Sequence, residues 1–177
     1  MNPQAQIIED ILTSGPLLEI GLYNINTGYV EVESERLWII DGAIQLSFSK
    51  GHLRIGWSGA HALFQTSTVH ISQDSGEFEF LKLTKGNVPL LNNLLGKKVT
   101  AFDWDWYSYE TWDDQSDDFI TNQSLSRLQL QLGDDQLLIA AVDYQMNKED
   151  EPVNFILYPQ QELLVSLNNP APIQRGS

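Results

Sequence analysis

No cysteine occurs in the 177 residues, which removes disulfides, thiol catalysis and Cys-based zinc or iron–sulfur sites together. Cations are scarce. Ten Lys and Arg stand against 24 Asp and Glu, a formal net charge of −14. Nucleic acids and anionic membrane surfaces recruit Lys and Arg, so neither is expected as a partner. Histidine is rarer still: only His52, His61 and His70, spaced nine residues apart. That interval fits neither a helical histidine pair nor the His-Glu-x-x-His zinc pattern. No uninterrupted apolar run approaches the ~18 residues of a membrane span. The start, Met1-Asn2-Pro3-Gln4, lacks the basic end and apolar core of a signal peptide. These absences leave a chain of one domain's length, expected in the cytoplasm. Its 42% of hydrophobic residues is enough to build a packed core despite the charge.

The hydrophobic pattern begins with a helical period. Ala5, Ile8, Ile11 and Leu12 recur at helical spacing behind Pro3, and Gly15-Pro16 stops the run. The period then falls to two. Leu18, Ile20 and Leu22 alternate with polar or small residues, Asn24 to Gly28 carries turn residues, and Tyr29 to Glu33 continues in strand style. The clearest strand sets Ile44, Leu46 and Phe48 on one face and Gln45, Ser47 and Ser49 on the other. Lys50-Gly51 turns it back into His52 to Trp57, a hairpin with a core face and a solvent face. Residues 62–71 and 78–83 read as two further strands.

From Val88 the order recurs. A short helical pattern over 88–95 ends at Gly96, a strand opens at Lys97, and Leu128, Leu130 and Leu132 alternate before a turn at Gly133-Asp134-Asp135. Moving the first hairpin forward by 84 places puts Ile44 on Leu128 and Ile55 on Ile139. The shared order helix, glycine, strand, loop, hairpin suggests an internal duplication; easy alignment of periodic hairpins is the competing explanation. Strands over 153–158 and 162–167 follow. The expected architecture is α+β and β-rich, antiparallel hairpins with short helices. It forms one domain over 1–168, with half-repeats 1–86 and 87–168, and a loose polar tail over 169–177. Arg175-Gly176-Ser177 is also open to reading as a vector remnant.

Catalytic grammar is thin. Gly56-Trp57-Ser58-Gly59-Ala60 begins like a Gly-x-Ser-x-Gly elbow but has alanine at the last position and no long helix behind it. Leu83-Thr84-Lys85-Gly86 lacks the spacing of a phosphate loop. No catalytic residue, metal ligand or cofactor is therefore assigned, a non-enzyme is expected, and no nucleophile–base pair is anticipated.

The unusual stretch runs from Phe102 to Phe119, with three of the five tryptophans, seven carboxylates and no Lys or Arg. Paired acids flanked by tryptophan platforms suit glycoside hydrolysis or carbohydrate binding. Carboxylates also suit calcium, though Ser108 stands where the calcium loop needs glycine and Asp114 where it needs glutamate. A structural reading packs Trp104 and Trp106 on one strand face, leaves Asp103 and Asp105 in water, and makes Asp113 to Asp118 a solvated loop. Partner binding is the fourth reading. Aromatic anchors ringed by carboxylates suit a surface for a basic protein. The candidate residues are Trp104, Trp106, Tyr109, Trp112, Asp113, Asp114, Asp117 and Asp118, with Trp112 the best anchor.

The segments Leu94-Leu95-Gly96-Lys97-Lys98-Val99-Thr100-Ala101 and Leu128 to Ile139, with the acidic-aromatic stretch between them, resemble small acidic bacterial immunity-type proteins of polymorphic and contact-dependent toxin systems. The resemblance is confined to residues 94–139 and carries over no residue-level motif. It implies a cytoplasmic, non-enzymatic binder whose partner is a toxin with a basic surface. The rival from another class is a carbohydrate-binding or carbohydrate-active β-protein using Trp104, Trp106 and Trp112.

Overall fold

The computed structural model describes residues 3–24, 30–32, 36–40, 42–56, 68–70, 84–86, 88–149, 152–157, 162–168 and 173–175. Among these residues antiparallel β-structure dominates, and helix is found at α1 (Pro3–Leu12) and in a 3-10 helix at Pro89–Leu94. Proline at the first position pre-sets the 3-10 turn. Of the expected elements, α1 and the strand at 162–167 fall where their periodicity puts them. The serine elbow, His61 and most of 62–71 and 78–83 lie outside the described residues.

Two sheets enclose one core. The first holds β1 (Glu19–Asn24), β4 (Gly42–Phe48), β5 (Gly51–Gly56), β6 (Thr68–His70) and β7 (Thr84–Gly86), in the order β6-β5-β4-β1-β7. The second holds β2 (Val30–Val32), β3 (Leu37–Ile40), β8 (Val99–Asp113), β9 (Asp118–Leu132), β10 (Asp135–Met146), β11 (Pro152–Leu157), β12 (Glu162–Leu167) and β13 (Gln174–Arg175). Ile44, Leu46, Phe48, Leu128, Leu130 and Leu132 are all buried between the sheets, as alternation requires. Ile8, Ile11 and Leu12 of α1 and Leu91 and Leu94 of the 3-10 helix close the core. The far face of the second sheet is apolar too: Leu37, Ile39, Val142, Phe155 and Leu164 form a second buried cluster.

Three expectations are corrected. Gln45 and Ser47 are not on a solvent face; both are buried. Their polar atoms are satisfied across the strands, Gln45 Oε1 accepting from Arg54 Nε and Ser47 Oγ meeting His52, which removes the desolvation penalty. Next, the strand opening at Lys97 does not yield to a loop: β8 runs unbroken to Asp113. Finally, the tail is not loose throughout. Gln174 and Arg175 pair parallel with Ile156 and Leu157, and Ile173 packs on the second cluster.

The registers of the two halves coincide. Ile44–Ile55, Leu46–Leu53 and Phe48–Gly51 pair in β4–β5 as Leu128–Ile139, Leu130–Leu137 and Leu132–Asp135 pair in β9–β10, each residue offset by 84 (44 to 128). On the preceding strand, Ile20–Leu46 and Leu22–Ile44 correspond to Phe102–Leu130 and Trp104–Leu128, an offset of 82 (20 to 102). The helix-ending glycines differ by 81 (15 to 96), and a bulge that inserts Thr100 between Val99 and Ala101 supplies the missing residue. Pro16 bridges Lys98, and the Leu17 N–H donates to the Lys97 carbonyl at 2.8 Å. Pro16 and Leu17 are the counterparts of Lys97 and Lys98, so each segment meets the other's equivalent, the relation of a two-fold axis. On the outer edge, β6 lies on β5 as β12 lies on β10, Ile55–Val69 matching Ile139–Val165.

Candidate functional site

The acidic-aromatic stretch forms a long ribbon from β8 and β9, whose position is decided on β10. Asp135 to Ala140 of β10 pair with β9, but from Val142 that edge pairs with β11 instead. Among the described strands, β9 before Ser126 therefore pairs only with β8. A second bulge marks the departure: Asp105 faces Arg127 and Trp106 faces Leu125, leaving Ser126 as the extra residue. Its buried hydroxyl donates to the Asp105 carbonyl at 3.0 Å. From Trp106 to Asp113 the ribbon extends about 23 Å at ordinary strand rise.

At the base, strand alternation resolves the fate of two candidates. Trp104 and Trp106 turn inward and pack half-buried on the main core, with Trp104 against Phe102 at 5.0 Å and against Trp106 at 6.1 Å between ring centroids. Neither is a solvent-facing anchor, because their face of β8 is the one that meets the Leu128/Leu130 row. The opposite face corrects the expectation that the acids lack a counter-charge. Arg127 Nε donates to Asp105 at 2.7 Å, its NH2 to Asp103, and its NH1 to Gln129 at 3.0 Å. Burial opposes the guanidinium charge, but these two carboxylates outweigh it and hold Arg127 above its ordinary pKa.

The tip is built differently. Trp112 pairs with Phe119 across the strands, their rings edge to face with centroids 5.1 Å apart. Trp112 is 51% exposed and Phe119 61%. Ile120, the next residue and so on the other face, is 44% exposed. Asp113 and Asp118 form the last pair, and only residues 114–117 turn; the expected solvated loop over 113–118 is thus a four-residue turn on a strand pair. Asp113 holds that turn. Its carboxylate accepts from the Gln115 N–H at 3.2 Å and from the Ser116 hydroxyl at 2.7 Å and N–H at 3.3 Å. The Ser116 hydroxyl above all holds Asp113 below the usual carboxylate range. Asp117 closes the turn at φ 55, a left-handed conformation that a short polar side chain tolerates. Asp118 accepts its neighbour's N–H at 2.7 Å. Asp114 and Asp117 are exposed, with no side-chain partner among the described residues.

Trp112, Asp114, Asp117 and Asp118 therefore converge on one exposed tip, with Asp113 as its structural support. Trp104 and Trp106 stand at the far end of the ribbon. Tyr109 pairs through its backbone with Asn122 midway along it. The sequence reading missed Phe119, Ile120 and Glu110. A four-residue Asp-Gln-Ser-Asp turn between Asp113 and Asp118 was the available signal, because it places Trp112 opposite Phe119.

One polar row elsewhere departs from expectation. Ser47 Oγ lies 2.8 Å from His52 Nδ1 and 3.4 Å from Glu19 Oε2, a hydroxyl–imidazole pair that the sequence reading did not anticipate. It follows from register, since Glu19, Ser47 and His52 are cross-strand neighbours. Ser47 is only 4% exposed, and the glutamate contact is to the serine, not to the imidazole it would need to orient. Among the described residues no three His, Asp or Glu side chains converge to hold a metal ion, and no helix is long and apolar enough to cross a membrane. No family model, curated protein or solved structure matches the chain.

Proposed function

We propose that the chain is a non-catalytic protein-binding domain that clamps a basic protein with the tip of its β8–β9 ribbon, as an immunity-type inhibitor of a bacterial toxin acting in the cytoplasm. The observation that carries this reading is the exposed Trp112–Phe119 pair set among unneutralised carboxylates. An aromatic pair in water gains by desolvation against a partner, and a net charge of −14 selects a basic one and speeds its encounter.

The matched registers of the two halves support the same reading. By the offset of 84, Leu37 of β3 corresponds to Thr121 of β9 (37 to 121), which pairs with Glu110. In the first ribbon Val32–Leu37 is the last described pair. The second runs on through the pairs Thr111–Ile120, Trp112–Phe119 and Asp113–Asp118. What exceeds the shared framework is the candidate surface. The carbohydrate alternative is weakened, since two of its three tryptophan platforms pack on the core.

The test expresses the product of the gene adjacent to this one in a bacterial host, alone and together with this chain. Growth arrest relieved by the full chain, but not by a variant in which a four-residue turn joins Glu110 to Thr121, is expected. Relief by both chains, or no toxicity to relieve, contradicts the proposal.

A further inference from the structure

We infer that the tip receives an arginine side chain of the partner, stacked on the Trp112 indole and paired with the Glu110 carboxylate. The inference rests on the reading of the tip as a docking surface for a basic protein, and it specifies the chemical group recognised there. Glu110 and Trp112 are two residues apart on β8, hence on one face, with Cα atoms about 6.7 Å apart. Glu110 is exposed, its cross-strand neighbour is the uncharged Thr121, and no ion pair engages it among the described residues. The Trp112 and Phe119 rings meet at 79°. Phe119 therefore covers at most one face of the indole, and Trp112 is 51% exposed.

An open aromatic face beside an unpaired carboxylate matches a guanidinium better than an ammonium. The planar guanidinium stacks flat on the ring while its edge donates in parallel to a carboxylate, and it is weakly hydrated. A lysine ammonium is a compact, strongly hydrated point charge that gains less from the ring. Asp114 and Asp117, one turn away, add attraction without fixing geometry. A second copy of this chain is a poor occupant, since it brings the same acidic tip and a net charge of −14 to the contact.

Capped hexa-arginine and hexa-lysine peptides, equal in charge, separate the stacking claim from simple attraction. The full chain gives one indole N–H resonance for each of its five tryptophans, and W112F assigns that of Trp112. Titration with the arginine peptide is expected to shift the Trp112 resonance and to saturate with an affinity at least about fivefold above the lysine peptide. W112A should abolish that preference, and E110Q should reduce arginine-peptide affinity several-fold while leaving the lysine peptide nearly unchanged. Equal binding of the two peptides, an arginine preference that survives W112A, or no shift at the tip overturns the inference. So does a Trp112 shift produced by cellohexaose and not by the peptides, which points to a sugar platform. The growth-rescue experiment reads the docking surface independently. Rescue that depends on the tip, together with peptides that do not discriminate, leaves the function standing and removes the arginine.

Discussion

Three tryptophans of one short stretch divide by their environment, and their substitutions should divide likewise. Trp104→Ala removes a half-buried ring from the main core and should cost about 2–4 kcal/mol in urea unfolding. Trp112→Ala removes a half-exposed ring and should stay within about 0.5 kcal/mol of the parent, so any loss of binding reports on contact. The tip aspartates separate in the same way. Asp113→Ala deletes the acceptor of three hydrogen bonds and should speed hydrogen exchange at the Ser116 and Gln115 amides. Asp114→Asn and Asp117→Asn should leave that exchange unchanged. Alternation in Asp103-Trp104-Asp105-Trp106 made the inward tryptophans legible from the sequence. Arg127 was not, because it lies 22 residues after Asp105, and only the register of β8 on β9 brings it to the two acids.

At the scale of elements, the ribbon's base and tip have separate jobs. Ser126 and Arg127 pin β9 where it leaves β10, through the bulge and the two carboxylates of β8. Arg127→Met keeps much of the side-chain volume but removes the guanidinium that Asp103 and Asp105 share. Loss of partly buried charge-assisted bonds should destabilise the chain by about 1–3 kcal/mol, with faster hydrogen exchange over 103–107 than over 128–132. The hairpins themselves were read well from sequence, since a strict period of two leaves one buried face and one register. The length of β8 was not. Ser108, Tyr109 and Glu110 carry no clear alternation of polarity, and before Ser126 no described strand but β8 lies on β9 to impose a hydrophobic pattern.

Across the whole molecule, the two halves share one register plan, and the described pairs of the second ribbon run further than those of the first. A polar knot ties the second half together: Lys97 pairs with Asp135, which also accepts from Asn168 Nδ2 at 2.6 Å, while Asn168 Oδ1 accepts from the Gln136 N–H. The Lys97 ammonium first, then Asn168, hold Asp135 below the usual carboxylate range. A depressed folded-state value means that this stability is present above an unfolded carboxylate pKa of about 3.9 and is lost as pH falls through the folded value. Asp135→Asn should therefore be less stable than the parent at neutral pH and show a flatter decline in urea midpoint between about pH 5 and pH 2. Knots of this kind escape a sequence reading because Lys97, Asp135 and Asn168 are separated by 38 and 33 residues. They meet only once β10 is seated between β9 and β12.

The proposed docking role of the tip is tested most directly by the rate at which it meets its proposed partner. With the product of the adjacent gene purified as the proposed partner, stopped-flow association should be measured for the full chain and for the variant whose four-residue turn joins Glu110 to Thr121, from low salt to about 1 M, where the Debye length falls to about 3 Å. The predicted result is a fast, salt-sensitive association for the full chain, and for the shortened chain a rate at least about tenfold slower at low salt with an unchanged unfolding midpoint. Equal rates and equal affinities for the two chains would contradict it.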